Sequence, residues 1–331
     1  MEALAPPWPG AVAVSGGGDS LALMHLLHAW AKRARREPPV VLTVDHGLHA
    51  AAAANARKVV RWAKDLGLKA HRLVWLGAKP ASDVEAAARN ARYRLMGDWC
   101  RKSGVAALFV AHTRDDQAET FLLRLARGSG LDGLAAMRPL APYPVPGFGE
   151  LTVVRPLIGL ERETLRAHLA GLGHTWLEDP MNEESRFARV RIRAALAGLE
   201  TSGLSKARIA AAARHLSRAR EALDEVVAAV LSRACRLEDG TLCVDRTALV
   251  AAPREIGLRA LSELLMAVSG QTYRPRFERL ERLFDTIRFG RLGAGSTLHG
   301  CRIAPAPKRK AVFGKATLMI ARERTHVPKK N

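Results

Sequence analysis

Cysteine is scarce in this chain of 331 residues. Its four copies, Cys100, Cys235, Cys243 and Cys301, lie far apart and form no C-x-x-C pair. That spacing argues against a zinc ribbon, an iron–sulfur cluster or a secreted disulfide framework. Long apolar runs are missing too, and none approaches the ~20 residues of a membrane span. The first ten residues carry no basic segment followed by an apolar one, so they do not read as a signal peptide. Acidic side chains are in short supply, 32 against 52 Lys and Arg, which leaves a formal charge of +20. Aromatics are only 5% of the chain, whereas hydrophobic residues make up 48%, enough for real cores. The expectation is a cytoplasmic, two-domain protein that meets an acidic partner and no membrane.

The positive charge is unevenly spread. Residues 1–137 carry a net +7, residues 138–200 are neutral, and residues 201–331 carry +13. Arg outnumbers Lys by 40 to 12. Guanidinium groups suit bidentate phosphate contact, so the C-terminal region reads as facing nucleic acid. Genome-driven Arg usage is the alternative, but it does not account for the asymmetry. Around Arg274, Arg276, Arg279, Arg282, Arg288 and Arg291 there are few aromatics, which favours duplex-backbone contact over base stacking. Phe277, Leu280, Phe284 and Ile287 recur at helical spacing and read as core.

Short β-branched runs alternate with amphipathic stretches in the first half. Strands are expected at residues 11–15, 40–45, 71–75, 107–112 and 151–155, with helices between them. This pattern predicts an α/β fold with a doubly wound parallel sheet over residues 1–200, whose ligands gather at the carboxyl ends of the strands. A long helix over 205–236 reads as the centre of a helical linker (201–240), followed by a smaller α+β basic domain over 241–331. The proline-rich stretch 138–156 reads as a loop excursion.

The strongest local signal is Ser15-Gly16-Gly17-Gly18-Asp19-Ser20, set between an apolar strand and a helix. Small residues let the backbone approach an anion, and the helix N-terminus supplies N–H donors and the positive end of a dipole. The segment lacks the Lys-[Ser/Thr] of a Walker A loop and does not match G-x-G-x-x-G. Asp45, at the end of the second strand, is placed either to meet a ribose or adenine or simply to form a turn. Asp116 and Glu119 share one helical face at i, i+3 and can hold an ammonium. The competing reading makes Thr113-x-x-Asp116 a capping box with a solvated Glu119. Arg89 and Arg92, one turn apart, can clamp phosphate or form a solvated basic face. His112 is either a proton shuttle or a hydrogen-bonded strand-end histidine.

S-G-G-x-D-S after a first strand resembles the pyrophosphate loop of the N-type ATP pyrophosphatases (PP-loop superfamily). The segments Val44–Leu48, Glu85–Tyr93, Ala111–Thr120, Arg127–Leu131, Glu178–Asn182 and Arg189–Arg193 narrow the resemblance to the tRNA(Ile)-lysidine synthetase family. It covers residues 11–200 well and is weaker beyond. The family usually doubles the histidine at 112–113, and this chain has Thr113 instead. The resemblance implies a ligase that activates the wobble cytidine of a CAU-anticodon tRNA(Ile) with ATP and couples it to L-lysine. It assigns ATP and Mg²⁺ to the Ser15–Ser20 loop and Asp45, with Asp19 as a metal ligand. L-lysine goes to Asp116 and Glu119, and Arg89 and Arg92 join the chemistry. Arg189, Arg191 and Arg193 would face tRNA together with Arg274, Arg276 and Arg279; a homodimer is allowed. The rivals are another PP-loop ATP pyrophosphatase or a non-catalytic RNA-binding protein.

The charge argument is tested by replacing Arg274, Arg276 and Arg279 with Glu. RNA affinity is expected to fall, and the slope of log K against log salt to shrink by about one for every phosphate no longer neutralised. Unchanged binding in a salt titration would refute the assignment.

Overall fold

The computed structural model describes residues 1–331 except 78, 81, 179–187, 272 and 324–331. Most of the Glu178–Asn182 motif and the final polar residues therefore lie outside the described residues. The chain divides into two units, Met1–Ser217 and Arg218–Asn331.

Alternation along each strand decides how the first unit is layered. Strands β1 (Gly10–Ala13), β2 (Val40–Asp45), β3 (Ala70–Val74), β4 (Ala107–Phe109), β5 (Leu140–Pro142) and β6 (Thr152–Val154) form one sheet in the order β3-β2-β1-β4-β6-β5. All pairings are parallel except that of β5 with β6. Val12, Val41, Phe109 and Val154 point to one face, where they pack with Leu21, Met24 and Leu27 of helix α1 (Gly18–Arg33). Val59 of α2 (Ala52–Asp65) and Leu165 and Leu169 of α6 (Arg162–Gly171) complete that layer. Ala11, Leu42, Leu108 and Val153, one residue out of step, point to the other face and meet Tyr93, Met96 and Cys100 of α3 (Val84–Lys102). Side chains in a strand alternate with period two, so four near-continuous apolar runs supply both layers.

The sheet reverses direction of growth between β1 and β4, and the loops after these two strands open onto the same crevice. The loop after β4 leads into α4 (Arg114–Leu125), which is followed by the single-turn α5 (Leu131–Leu134). α4 packs through Ala118 on Leu196 of α7 (Ala188–Thr201) and Ile209 of α8 (Lys206–Ala234).

Three details go beyond the sequence pattern. The excursion at 138–156 contains β5, whose Pro142 is tolerated because the strand lies on the sheet edge. Helix α3 starts after Asp83, which is in a left-handed conformation and makes no side-chain capping bond. The unit boundary falls between Ser217 and Arg218, inside α8. Ile209 and Ala213 of that helix are buried in the first unit, and Val227 belongs to the core of the second.

The second unit is a five-stranded antiparallel sheet in the order β7-β8-β11-β10-β9. Its strands are β7 (Cys235–Glu238), β8 (Thr241–Asp245), β9 (Ser296–Leu298), β10 (Cys301–Pro305) and β11 (Thr317–Arg322). Helices α9 (Arg246–Ala251), α10 (Arg254–Ser269) and α11 (Phe277–Arg288) supply the rest of its core. Two hairpins turn on Asp239-Gly240 and His299-Gly300, all four residues at positive φ, as two-residue turns that match strand twist require. Leu280, Phe284 and Ile287 are buried as the spacing predicts. Phe277 is not: it opens α11 and is 60% exposed.

A Cβ on Gly257 would lie 2.5 Å from the Phe284 ring and 3.0 Å from the Leu249 carbonyl oxygen. Gly257→Ala is therefore expected to destabilise the second unit by roughly 1–3 kcal/mol through overpacking. Denaturant unfolding of the variant measures this, and an unchanged midpoint would show that the α10–α11 contact is not tight.

Candidate active site

The phosphate loop is built by its glycines. Gly16 sits at φ +97°, and a Cβ there would come within 2.5 Å of Leu177 Cδ1, so a side chain is disfavoured on two counts. Gly17 is the N-cap of α1, and the helix starts at Gly18, two residues earlier than the sequence suggests. The helix N-terminus therefore lies within the loop and presents its first-turn N–H groups there. The loop is braced from inside: Ser20 Oγ accepts from the Ser15 N–H (3.2 Å) and donates to the Gly17 carbonyl (2.9 Å). Leu177 N–H donates to the Gly16 carbonyl at 2.9 Å, which fixes the segment after α6 against the loop.

Asp19 and the α4 carboxylates meet around one guanidinium. Arg162, the first residue of α6, donates from Nε to Asp19 Oδ2 (2.9 Å) and from Nη2 to Asp116 Oδ1 (3.4 Å). Its Nη1 lies 3.7 Å from Glu119 Oε1. Glu119, only 2% exposed, is also held by Arg193 of α7, whose Nε donates to Oε1 at 2.6 Å. Burial raises the Asp19 carboxyl above its ordinary pKa, with Arg162 pulling the other way. Burial works against the charge on Arg162, but Asp116, Asp19 and Glu119 outweigh it and raise its pKa. The start of α6 is stitched to that of α4 as well. The Arg162 N–H donates to Asp115 Oδ2 (2.9 Å), and Arg114 N–H donates to the Leu160 carbonyl (2.8 Å).

Of the two readings of Asp116, the capping box is present. Asp116 Oδ2 accepts from the Thr113 N–H and Oγ1–H, each at 2.8 Å, closing the capping box, while Oδ1 faces Arg162. Glu119 is not solvated. Asp45 is buried and makes the turn: its Oδ1 accepts from the Gly47 N–H at 3.0 Å. Arg92 Nε donates to His46 Nε2 at 3.2 Å, and Arg89 lies over the Tyr93 ring, 5.1 Å from its centroid. Arg155, buried beside β6, donates from Nε to His112 Nδ1 (3.2 Å), so His112 is an acceptor on that nitrogen and carries its proton on Nε2. Arg189, Arg191 and Arg193 lie on α7, and Arg193 turns inward to Glu119. Arg274, Arg276 and Arg279 are exposed in the second unit.

Sequence reasoning did not single out Arg162, Arg155 or Asp115. Arg162 follows β6, which neighbours β4 in the sheet; that strand order carries the signal, and it is not legible from chain order alone. For a divalent cation, the donor at hand is Asp19 Oδ1, which is buried and has no hydrogen-bond partner. One such carboxylate fits Mg²⁺, which completes its shell with phosphate oxygens and water. Among the described residues no three His, Cys, Asp or Glu are grouped to hold a metal by themselves.

Residues 9–199 match a family described as the PP-loop domain, so most of the first unit belongs to that class of nucleotide-binding domain. The chain is 39% identical over 304 residues to the tRNA(Ile)-lysidine synthase of Ruegeria pomeroyi, covering 92% of this chain and 70% of the relative. It is 43% identical to the enzyme of that name from Methylobacterium nodulans, over 85% of this chain and 80% of the relative. The chain belongs to the tRNA(Ile)-lysidine synthase family. A solved structure, the U34-tRNA thiolase NcsA from Methanococcus maripaludis, shares the fold (TM-score 0.53, 17% identity, 68% of this chain and 74% of that one).

Burial lowers the pKa of His46 to about 4, with Arg92 and Lys79 helping, and that of His112 to about 3, with nearby arginines helping. The unfolded chain then binds more protons than the folded one below the ordinary histidine value of about 6.5. Stability is expected to fall as pH drops from about 6.5 toward 4, and His46→Gln should flatten part of that slope. Urea midpoints measured from pH 7.5 to 5 test the sign; a flat profile would contradict it.

Proposed function

We propose that this chain joins L-lysine to C2 of the wobble cytidine of a CAU-anticodon tRNA(Ile), consuming ATP and releasing AMP and pyrophosphate. The observation that carries the reading is the convergence of Asp19, on the phosphate loop, with Asp116 and Glu119 around Arg162. A nucleotide at the loop and an amine at the two α4 carboxylates would be neighbours, as a ligase that activates and then aminates one atom requires. Family membership supports the same reaction.

In the first step O2 of the cytosine attacks the α-phosphorus of ATP and pyrophosphate leaves. The loop N–H groups and the α1 dipole stabilise the charge on the phosphates. Mg²⁺, held by Asp19 Oδ1, would supply further neutralisation of that charge. In the second step the lysine ε-amine, after losing a proton, attacks C2, and AMP departs with the former O2. Asp116 and Glu119 hold the ammonium before that proton is lost. Arg89 and Arg92 lie on α3, where they can reach phosphate or base, and Asp45 closes the nucleotide side at the end of β2. Arg189 and Arg191 on α7, with Arg274, Arg276 and Arg279 of the second unit, contact the tRNA. No helix among the described residues is long and apolar enough to cross a membrane, and a tRNA substrate is met in the cytoplasm.

Labelled lysine, ATP and an unmodified tRNA(Ile) transcript with a CAU anticodon provide the test. ATP-dependent transfer of label is expected from the native chain, and Asp19→Ala should lower it by at least about a hundredfold. Glu119→Gln should raise the lysine KM by about ten- to a hundredfold, the worth of a charge-assisted contact. Pyrophosphate release without lysine transfer would move the chain to a different acceptor.

A further inference from the structure

The carboxylates Asp19, Asp116 and Glu119 come from two helices and share one cation, Arg162. Among the described residues, the direct ion pairs of these three carboxylates set two positive charges, those of Arg162 and Arg193, against three formal negative ones. One unit of negative charge is left over, the right quantity for one ammonium. Without the Arg162 side chain the same oxygens would surround a space where a divalent cation is strongly favoured, because affinity for hard cations rises with the number of carboxylates. Asp19 Oδ1, buried without a partner, would add a further donor.

We propose that Arg162 is a positioning and specificity-determining residue, a built-in guanidinium that divides one acidic basin into a metal–nucleotide side (Asp19) and an amine side (Asp116 and Glu119). Nε occupies the Asp19 oxygen that faces α4 and leaves Oδ1 for the cation that accompanies ATP. The Nη groups occupy one side of Asp116 and Glu119, so that no divalent ion bridges them to Asp19. A monovalent ammonium fits the remaining charge. Arg193 does the same from the α7 side, where it holds Glu119 through both carboxylate oxygens (2.6 and 3.4 Å). The amine half of this assignment rests on the lysine-ligating function proposed above; the metal half does not.

The side chain can be replaced without unpicking the helix junction, because the bond from Arg162 to Asp115 comes from the backbone N–H. Arg162→Met and Arg162→Gln remove the charge, whereas Arg162→Lys keeps it. The probe is Mn²⁺ alone, titrated into the full chain without nucleotide and read by electron paramagnetic resonance. A thermal melt confirms folding, and either neutral variant that folds serves. The neutral variant is expected to bind one Mn²⁺ at least about tenfold more tightly than the native chain, with Lys restoring native behaviour. A neutral variant within about twofold of native, or a Lys variant as tight as the neutral one, would overturn the proposal. L-lysine added to the Mn²⁺-loaded neutral variant is expected to release the metal. Tight Mn²⁺ that lysine does not displace upholds the division of the basin and refutes the amine assignment instead.

Discussion

Gathering three carboxylates at one end of a sheet, two of them buried, is costly unless cations gather with them, and Arg162 is the cation on which this arrangement turns. Breaking a pair of this kind, with Glu119 almost fully enclosed, leaves an uncompensated charge at a cost of about 3–5 kcal/mol. The guanidinium also dictates architecture. For its side chain to reach α1 and α4 together, α6 must begin where the first turn of α4 begins. The backbone bonds from Arg162 to Asp115 and from Arg114 to Leu160 hold it there. The apolar face of α6, through Leu165 and Leu169, then packs on the same layer as α1. Charge compensation in the crevice and hydrophobic packing beneath it thus fix the same helix in the same place.

The sheet makes that crevice available. Because β1 and β4 are neighbours while the chain grows outward from each in opposite directions, the loops after them face each other without crossing. The phosphate loop comes from one and the Thr113 capping box from the other. Each is a helix start, so both offer first-turn N–H groups to the crevice. Thr113 and Asp116 use up part of that capacity on α4, whereas on α1 Gly17 provides no side-chain cap. The two helix starts are therefore differentiated: that of α1 remains suited to an anion, and that of α4 carries acidic side chains suited to a cation.

Much of this was legible in the residues. Four apolar runs spaced by amphipathic stretches give the parallel sheet, and Ser15–Ser20 with Asp116 and Glu119 fall just after its neighbouring strands β1 and β4. At Asp116 the cap that the spacing allows is formed through one carboxylate oxygen, while the other faces Arg162, a partner that local spacing could not name. Arg162 itself was hidden because its importance depends on β6 lying next to β4, a non-local fact. β7 was hidden by the helix-like pattern before it, although Asp239-Gly240 is a hairpin signal of the strongest local kind. His299-Gly300 forms a second such turn, between β9 and β10. Phe277 misled because helical spacing says nothing about the first turn, where a side chain can point past the core.

Arginine serves two opposite ends in this chain, and exposure separates them. Arg155 is buried and Arg162 half-buried, each held by named partners, and they fix where other groups stand: the tautomer of His112 in one case, three carboxylates in the other. Their charge is largely spent inside the fold and contributes little to long-range attraction. Arg276, Arg279, Arg282 and Arg288 are exposed on or beside α11, where only Glu278, Glu281 and Asp285 on that helix oppose them, and Arg254 already engages the last two. Charge of that second kind projects into solvent and is screened by salt over a Debye length of about 8–10 Å. A formal +20 is therefore a poor measure of affinity for RNA. The exposed portion beyond residue 200 projects its field into solvent, whereas the charge at the crevice is spent on the carboxylates of α1 and α4.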